Sequence, residues 1–391
     1  MIEAIDRRKY EVIPIAISRE GKWLSPAEAL RLLPGNAQSL LPIKPGSGSR
    51  DAVAILGDPS HAGLLSLNRK GGTANSQKLD VVFPVLHGPF GEDGTLQGLL
   101  EMANVAYVGC GVLASSCGMD KVALKLLFLQ AGLPMCNYVW FLRSQWQSDR
   151  ARIIKTITRK LGLPCFVKPA NLGSSVGVSR AHDKASLERA VELAAQYDRK
   201  IVVEEAVDAR EIECAVIGNN EPQASLPGEY VIHDGAAAFL DYTEKYTKTG
   251  HVEFVVPAPV SKSLAARIQK MAIQAFQSID GSGLARVDFF LTRKAGSVDR
   301  LECLDRHLLN SGGQGFGNRS RNHKLDMPCL RILLGVVEKR CRLVVDYIFA
   351  GQAGLRFVVT DNRTLNLPGI NRLFNNYLAI VLSRQLHRAF K

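Results

Sequence analysis

Apolar and polar positions follow two periods along most of this chain, and their alternation sets the expected architecture. Lys78–Gly88 (KLDVVFPVLHG) reads as a strand ending in a glycine-rich loop, PFGEDG, with a helix following from Thr95 to about Ala103. A helix is expected from Asp120 to Gly132. After it come a strand near Cys165, a Gly/Ser-rich loop, a helix over Lys184–Tyr197, and the strands IVVEEAV and EIECAVIG. Acidic residues at the turn between those two strands predict an antiparallel pair. A further unit holds the loop FLDYTEKYTKTG, a helix over Ser261–Ile279 and the strand ARVDFFLT. That helix repeats Leu264, Ile268, Met271, Ala272, Ala275, Phe276 and Ile279 on one face, the pattern of a core-facing amphipathic helix. Residues 44–77, rich in Gly, Ser, Pro and Asn, read as a surface excursion around one short strand, AVAIL. Strands alternating with helices predict the α/β class, in which loops at strand C-termini carry ligands. No internal repeat is visible. Beyond Arg293 the strand and helix signals overlap poorly, and HLLNSGGQGFGNRSRNHKL is loop-like.

Composition narrows this picture. A chain of 391 residues, 46% hydrophobic and 22% charged, has the length for two or three domains and the balance of a soluble globular protein. The most apolar late segment, LRILLGVVEKRCRLVVDYIFAG, is interrupted by Glu338, Lys339, Arg340 and Arg342, and MIEAIDRRKY has no apolar signal region. A cytoplasmic protein without a membrane partner is therefore expected. The eight cysteines form no CxxC pair and several sit in apolar runs, which fits reduced buried thiols.

Net charge is +12, but it is unevenly placed. Residues 293–391 hold 17 Lys and Arg against 7 Asp and Glu, a balance of +10 that leaves +2 for residues 1–292. Thirteen of those 17 are Arg, spread singly without interleaved aromatics, so a nucleic-acid partner is not expected.

The densest chemistry lies in KPANLGSSVGVS, residues 168–179. Gly173 and Gly177 permit backbone angles at which successive N–H groups converge on an anion, Ser174 and Ser175 add hydroxyl donors, and Lys168 ends the short apolar strand LPCFVKP. An ammonium there reaches a polyphosphate as a point charge. The run is not G-x-x-x-x-G-K-[ST], so a P-loop ATPase is not implied, and taken alone it also reads as a surface turn. On ARVDFFLT, Arg286 and Asp288 share one face of a strand while Val287 and Phe289 face the core.

Six strings occur in the order found in ATP-grasp enzymes, and closely resemble the D-alanine:D-alanine ligase family. They are HGPFGEDGTLQG (His87–Gly98), MDK (Met119–Lys121), KPANLGSSVGVS, VEEAVDAREIECAVIG (Val203–Gly218), DYTEKY (Asp241–Tyr246) and ARVDFFL (Ala285–Leu291). The resemblance runs from Met1 to about Glu302. It implies an ATP-grasp fold with an N-terminal parallel-sheet domain and an irregular C-terminal tail. The corresponding domains are 1–115, 116–225 and 226–303, with 304–391 a divergent or frameshifted basic tail.

The resemblance also implies roles. Lys121 and Lys168 hold ATP phosphates, with Ser174, Ser175 and the loop amides closing over them. Glu204, Ala206 and Val207 form the hinge that meets the adenine edge, and Glu211 binds ribose. Lys245 and Tyr246 cover the γ-phosphate and shield it from water. Asp288 and Glu302 are ligands of Mg²⁺ or Mn²⁺. Arg286 stabilises a tetrahedral intermediate, and Ser174 and Tyr246 stand with it as catalytic groups. His87 and Glu92 lie on the substrate side. The implied partners are ATP and D-alanine, and a homodimer is compatible with the resemblance. Taken alone, Glu204 reads as a solvated strand end, Tyr246 as a packing residue, Arg286 with Asp288 as a surface ion pair, and His87 as a structural histidine.

Two departures stand out. The family opens with a strand and a Gly-rich motif whose Glu binds the first D-alanine, and this sequence starts after it. Following Glu302, in LECLDRHLL, Leu304 takes the position of the family's Asn, no Pro-Gly follows closely, and Asp305 is the nearest carboxylate. The expected function is therefore ATP-dependent ligation of two D-alanines through an acyl phosphate, for peptidoglycan precursors. The rivals are a nucleotide-binding pseudoenzyme and a ligase with another second substrate.

Overall fold

Strand β1 (Tyr10–Ile17) is apolar on both faces, so it needs cover on both sides. Ile13 and Ile15 pack with Val82, Leu96, Leu100 and Tyr107, while Val12 joins Leu30, Leu33, Val81 and Val108 on the opposite side. The computed structural model describes residues 2, 5–18, 20–33, 35–41, 52–61, 63–67, 73–173, 176–232, 252–292, 300–303 and 377–384. They fall into two units: Met1–Leu86, Thr95–Cys110 and Asn310–Lys391 in the first, His87–Gly94 and Gly111–Leu309 in the second.

In the first unit β1 is followed by β2 (Trp23–Leu24), α1 (Pro26–Leu32), α2 (Gly35–Gln38), β3 (Ala52–Ala54), β4 (Gly63–Leu67), β5 (Thr73–Lys78), β6 (Val81–Val85) and α3 (Thr95–Met102). Ser25 starts α1 with a reciprocal cap. Its hydroxyl accepts from the Glu28 amide at 3.4 Å, its own amide donates to the Glu28 carboxylate at 3.2 Å, and Pro26 takes the first helical position.

The main sheet runs β2, β1, the strand Tyr377–Arg384, then β6. Tyr377–Arg384 is antiparallel to both neighbours, from Tyr10↔Arg384 to Ile17↔Tyr377 on one side and Leu378↔Val85 to Leu382↔Val81 on the other. The expected parallel sheet is corrected accordingly. β1 and β6 run in one direction, but a reversed strand separates them and makes the ladders antiparallel. Parallel pairing appears at the Val82↔Tyr107 bridge. The tail expected to be irregular thus contributes a strand, and its other residues lie outside those described.

Residues 44–77 also differ from expectation. Instead of one strand in a surface excursion, β3, β4 and β5 form an antiparallel sheet, and Val53 and Leu64 enter the same core as Ile13. Alternation in this Gly/Ser-rich stretch is too short to read as strands.

The second unit comprises α4 (Val112–Met119), α5 (Lys121–Gln130), β7 (Tyr138–Leu142), α6 (Arg143–Ser148), α7 (Arg150–Lys160), β8 (Cys165–Pro169), β9 (Ser179–Ala181) and α8 (Lys184–Tyr197). It continues with β10 (Lys200–Glu205), β11 (Ala209–Gly218), β12 (Gln223–Ala224), β13 (Gly228–Ile232), β14 (Val252–Val255), α9 (Lys262–Ser278), β15 (Gly283–Thr292) and β16 (Arg300–Cys303). One sheet has the order β7-β10-β8-β9 and the other β14-β13-β11-β15-β16, with β12 on β11. The strands β10 and β11, expected to pair with each other, belong to different sheets. The three residues between them, Ala206, Val207 and Asp208, carry the chain from one sheet to the next, and acidic residues at a turn do not choose a pairing partner.

Alternation along β8 and β10 fixes what the first of these sheets presents. Cys165, Val167, Ile201 and Val203 pack with Leu187, Ala190 and Val191 of α8 and Ile157 of α7. Phe166, Lys168, Val202 and Glu204 occupy the other face, where Val202 meets Val122 of α5. The amphipathic reading of α9 holds: Ile268, Met271, Ala272, Ala275 and Phe276 are buried. Among the described residues no helix is long and apolar enough to cross a membrane. Cys110, Cys117, Cys136, Cys165 and Cys214 are reduced thiols.

Candidate functional site: a buried lysine cluster and an acidic sheet face

α5 begins at Asp120, whose carboxylate accepts from the amides of Val122 and Ala123 at 3.0 and 3.1 Å and is also bonded by Lys200. This cap fixes the first turn. Lys121 and Lys125, four residues apart, then lie on one helix face, and both are buried. Lys121 Nζ donates to the carbonyl oxygens of Leu172 at 2.6 Å and Ala170 at 3.4 Å, so this ammonium sits at the start of the Gly/Ser loop.

Lys168 and Glu204 are diagonal neighbours across the β8–β10 pair, where Lys168 faces Val202 and Glu204 faces Phe166. Their side chains form a buried ion pair. Lys125 Nζ reaches the other Glu204 oxygen at 2.9 Å and lies 5.2 Å from the centre of the Tyr138 ring. Glu204 is 3% exposed, which rules out the solvated strand end. Two buried lysines thus meet one carboxylate, and Lys121 adds a third ammonium near the loop.

Beyond Lys168 the chain is pinned. The Ala170 amide donates to Lys200 O at 2.9 Å, and the Asn171 amide to Asp198 Oδ2 at 2.8 Å. Gly177 has φ +70, and a Cβ there would stand 2.8 Å from both Pro169 Cγ and Tyr197 Cδ2. Glycine is thus required by angle and by space. Ser174 and Ser175 lie outside the described residues. Downstream, the Ala206 amide donates to Pro164 O at 3.3 Å, which ties the β10–β11 connection to the start of β8. Val207 follows it in the same connection.

The second sheet gathers the acids. Opposite residues in antiparallel strands share a face, so Glu211, paired with Phe290, and Glu213, paired with Asp288, lie on the side of Arg286 and Asp288. The register pairs Glu302 of β16 with Phe290. Arg286 is 2% exposed and grips Asp288 twice, Nε to Oδ1 at 2.6 Å and Nη2 to Oδ2 at 2.7 Å, while Nη2 also reaches Glu213 at 3.2 Å. The surface ion pair is excluded by this burial. Burial alone would lower the Arg286 pKa, but Asp288 and Glu213 outweigh it and raise it above its usual value. Burial likewise holds the Tyr230 hydroxyl well above its ordinary range, with Glu213 adding to the effect.

On the loop His87–Gly94, the Gly88 amide donates to the buried Glu92 carboxylate, and His87 Nδ1 lies 4.0 Å from Glu92 Oε1. Ser116 Oγ closes the loop on Asp93 O at 2.9 Å. Lys245 and Tyr246 fall outside the described residues, as does the Glu302 side chain.

The residues present fit a magnesium nucleotide. The buried Lys121 ammonium borders a glycine loop, and two more buried ammonium groups, of Lys168 and Lys125, meet at Glu204. Asp288, Glu211 and Glu213 share a sheet face and bring the hard carboxylate oxygens that magnesium prefers, with Arg286 now engaging Asp288 and Glu213, and the described residues form no preassembled group of three metal ligands. The buried Nη1 of Arg286 has no hydrogen-bond partner among the described residues, so a donor remains for an anion. Sequence reasoning missed Lys125 and Glu213. Lys125 was visible as the second lysine, at i+4, in the otherwise apolar KVALKLLFLQ, and Glu213 as the alternate residue after Glu211.

Comparison with known proteins agrees with this chemistry. A family model described as D-ala D-ala ligase N-terminus matches residues 1–110, and one described as D-ala D-ala ligase C-terminus matches 127–301. The D-alanine–D-alanine ligase of Heliobacterium modesticaldum is 46% identical over 298 residues, 76% of this chain and 77% of that protein. The Bacillus velezensis D-alanine–D-alanine ligase is 46% identical over 294 residues, 74% and 78% respectively. Among solved structures, the VanG D-Ala:D-Ser ligase from Enterococcus faecalis superposes with a TM-score of 0.64 at 32% identity, covering 85% of this chain and 92% of that one. The D-alanine-D-alanine ligase from Coxiella burnetii gives 0.59 at 28%, covering 89% and 92%.

Proposed function

Because the chain belongs to the D-alanine–D-alanine ligase family, we propose that it joins two D-alanine molecules in an ATP-dependent reaction, with the lysine cluster and the acidic sheet face as its nucleotide and metal site. The dipeptide is a building block of peptidoglycan precursors. The observation that supports the site most directly is the burial of Lys121 and Lys168 at the two ends of a pinned loop start, with further cationic charge from Lys125 behind it.

In this reading the carboxylate of the first D-alanine attacks the γ-phosphorus of ATP, the bond to the bridging oxygen breaks, and ADP leaves with an acyl phosphate formed. The neutral amine of the second D-alanine then adds to the acyl carbon, loses a proton and expels phosphate. Lys121 and Lys168 neutralise phosphate oxygens and hold the donor in line. Ser174, Ser175 and the loop amides close over them. Glu204, Ala206 and Val207 meet the adenine, and Glu211 the ribose. Arg286 faces the negative charge of the tetrahedral adduct, Nη1 being the donor it retains. Asp288 and Glu302 would hold Mg²⁺ or Mn²⁺, which supplies charge neutralisation at the phosphates when bound. Lys245 and Tyr246 exclude water from the transfer, while His87 and Glu92 orient the amino acid.

The test is Mg²⁺-dependent phosphate release from ATP on adding D-alanine, with D-alanyl-D-alanine identified by mass. ATP binding without D-alanine-dependent release would establish the pseudoenzyme instead. A second reading, D-serine as the second substrate, is favoured by the VanG likeness. Adding D-serine to the same assay decides it by the product formed.

A further inference from the structure

Glu204 holds two buried cations, and the second has a use. Lys168 bonds one oxygen of this carboxylate, and Lys125 stands 2.9 Å from the other. All three side chains are nearly inaccessible, at 6%, 1% and 4% exposure for Lys168, Lys125 and Glu204. A buried carboxylate stripped of its only cation is strongly disfavoured. Were Lys168 the sole partner of Glu204, a ligand phosphate could take that ammonium only by stranding Glu204.

From this arrangement we propose that Lys125 is a positioning residue: it keeps Glu204 neutralised, so that Lys168 can turn from Glu204 to a nucleotide phosphate. The inference rests on the nucleotide site proposed above. Lys125 stands on helix α5 beside Val122, with its ammonium 5.2 Å from the centre of the Tyr138 ring, and it meets Glu204 by charge alone, whereas Lys168 lies on strand β8 and hydrogen-bonds the acid. Lys168 is also two residues from the loop start that Lys121 holds. The site thus stores its phosphate-binding charge in a shared ion pair, and a ligand phosphate replaces one of Glu204's two cationic contacts without leaving the acid bare.

The full chain tests this by calorimetric binding of Mg-ATP and of inorganic tripolyphosphate, the second reporting on the lysines without an adenine. Lys125→Met should trap Lys168 on Glu204 and weaken both ligands by about tenfold. In Lys125→Met/Glu204→Gln the trap is gone, and tripolyphosphate affinity should return to within about threefold of Glu204→Gln alone. A merely structural Lys125 gives a less stable protein with unchanged affinities, or losses that add in the double variant, and either result overturns the proposal. If Lys125→Met does not fold, the comparison of Glu204→Gln with the double variant decides, since a neutral pair replaces the buried charges there. Failure of the parent chain to bind either ligand would overturn the nucleotide reading itself. Normal parent binding with unchanged Lys125→Met affinity would overturn this inference alone.

Discussion

Glu213 stands directly opposite Asp288 across the β11–β15 ladder, and the guanidinium of Arg286 bonds both carboxylates. In the proposed metal site Asp288 would have to turn from Arg286, and Glu213 is the anion that Arg286 would then keep. Glu213→Gln is expected to destabilise the protein by about 2 kcal/mol, since a buried charge-assisted contact is lost, and to lower kcat. Urea denaturation and phosphate release measure the two effects, and a variant as stable and active as the parent would remove Glu213 from this role.

Asp288→Asn keeps the size of the side chain and removes the metal-seeking charge. Half-maximal phosphate release should need at least about tenfold more Mg²⁺. An unchanged magnesium titration would take Asp288 out of the metal site.

Lys168→Met removes one ammonium of the proposed phosphate site while Lys125 still covers Glu204. kcat/KM for ATP should fall by about 100-fold or more, with KM for D-alanine changing little. An equal loss in both constants would mean that the substitution had damaged the site as a whole.

Gly177→Ala places a methyl group against Pro169 and Tyr197 at a φ of +70. The loop must shift to accept it, at a cost of about 1–3 kcal/mol, and the KM for ATP should rise. Thermal unfolding and ATP kinetics check this together.

Asp120 gives a pH signature. Burial would raise its pKa, but hydrogen bonds from Lys200 and from the Ala123 and Val122 amides outweigh that and hold it below the ordinary 3.8. A depressed carboxylate stabilises the fold above its unfolded pKa and loses that contribution as pH falls through its folded value. The Tm difference between the parent and Asp120→Asn should therefore be full above about pH 5 and shrink below about pH 4. A difference that grows on acidification would contradict the assignment.

Much of this was legible in the sequence because local rules suffice for it. Helix α9 and its buried face follow from period, Lys168 from its place at a strand end, and Arg286 with Asp288 from alternation on β15. What failed depends on partners distant in sequence. Nothing in VEEAVDAREIE says that its two strands join different sheets, because pairing is decided by which edge is open. Lys125 stands out in an apolar run at i+4 from Lys121, but its partner does not, since only the fold brings Glu204 to it. Burial of all four residues Arg286–Phe289 was likewise invisible, because alternation tells sides apart and not whether both are covered.

The strand Tyr377–Arg384 pairs with residues at the opposite extreme of the chain, beginning with Tyr10↔Arg384. Such contacts carry the highest loop-closure cost available to the polypeptide and form late. During synthesis β1 and β6 must wait, with ladder groups unsatisfied, until translation has passed Arg384, whereas the strands of the second unit find their partners well before. The amino-terminal unit, although its first strand emerges from the ribosome first, is accordingly the one whose main sheet closes later.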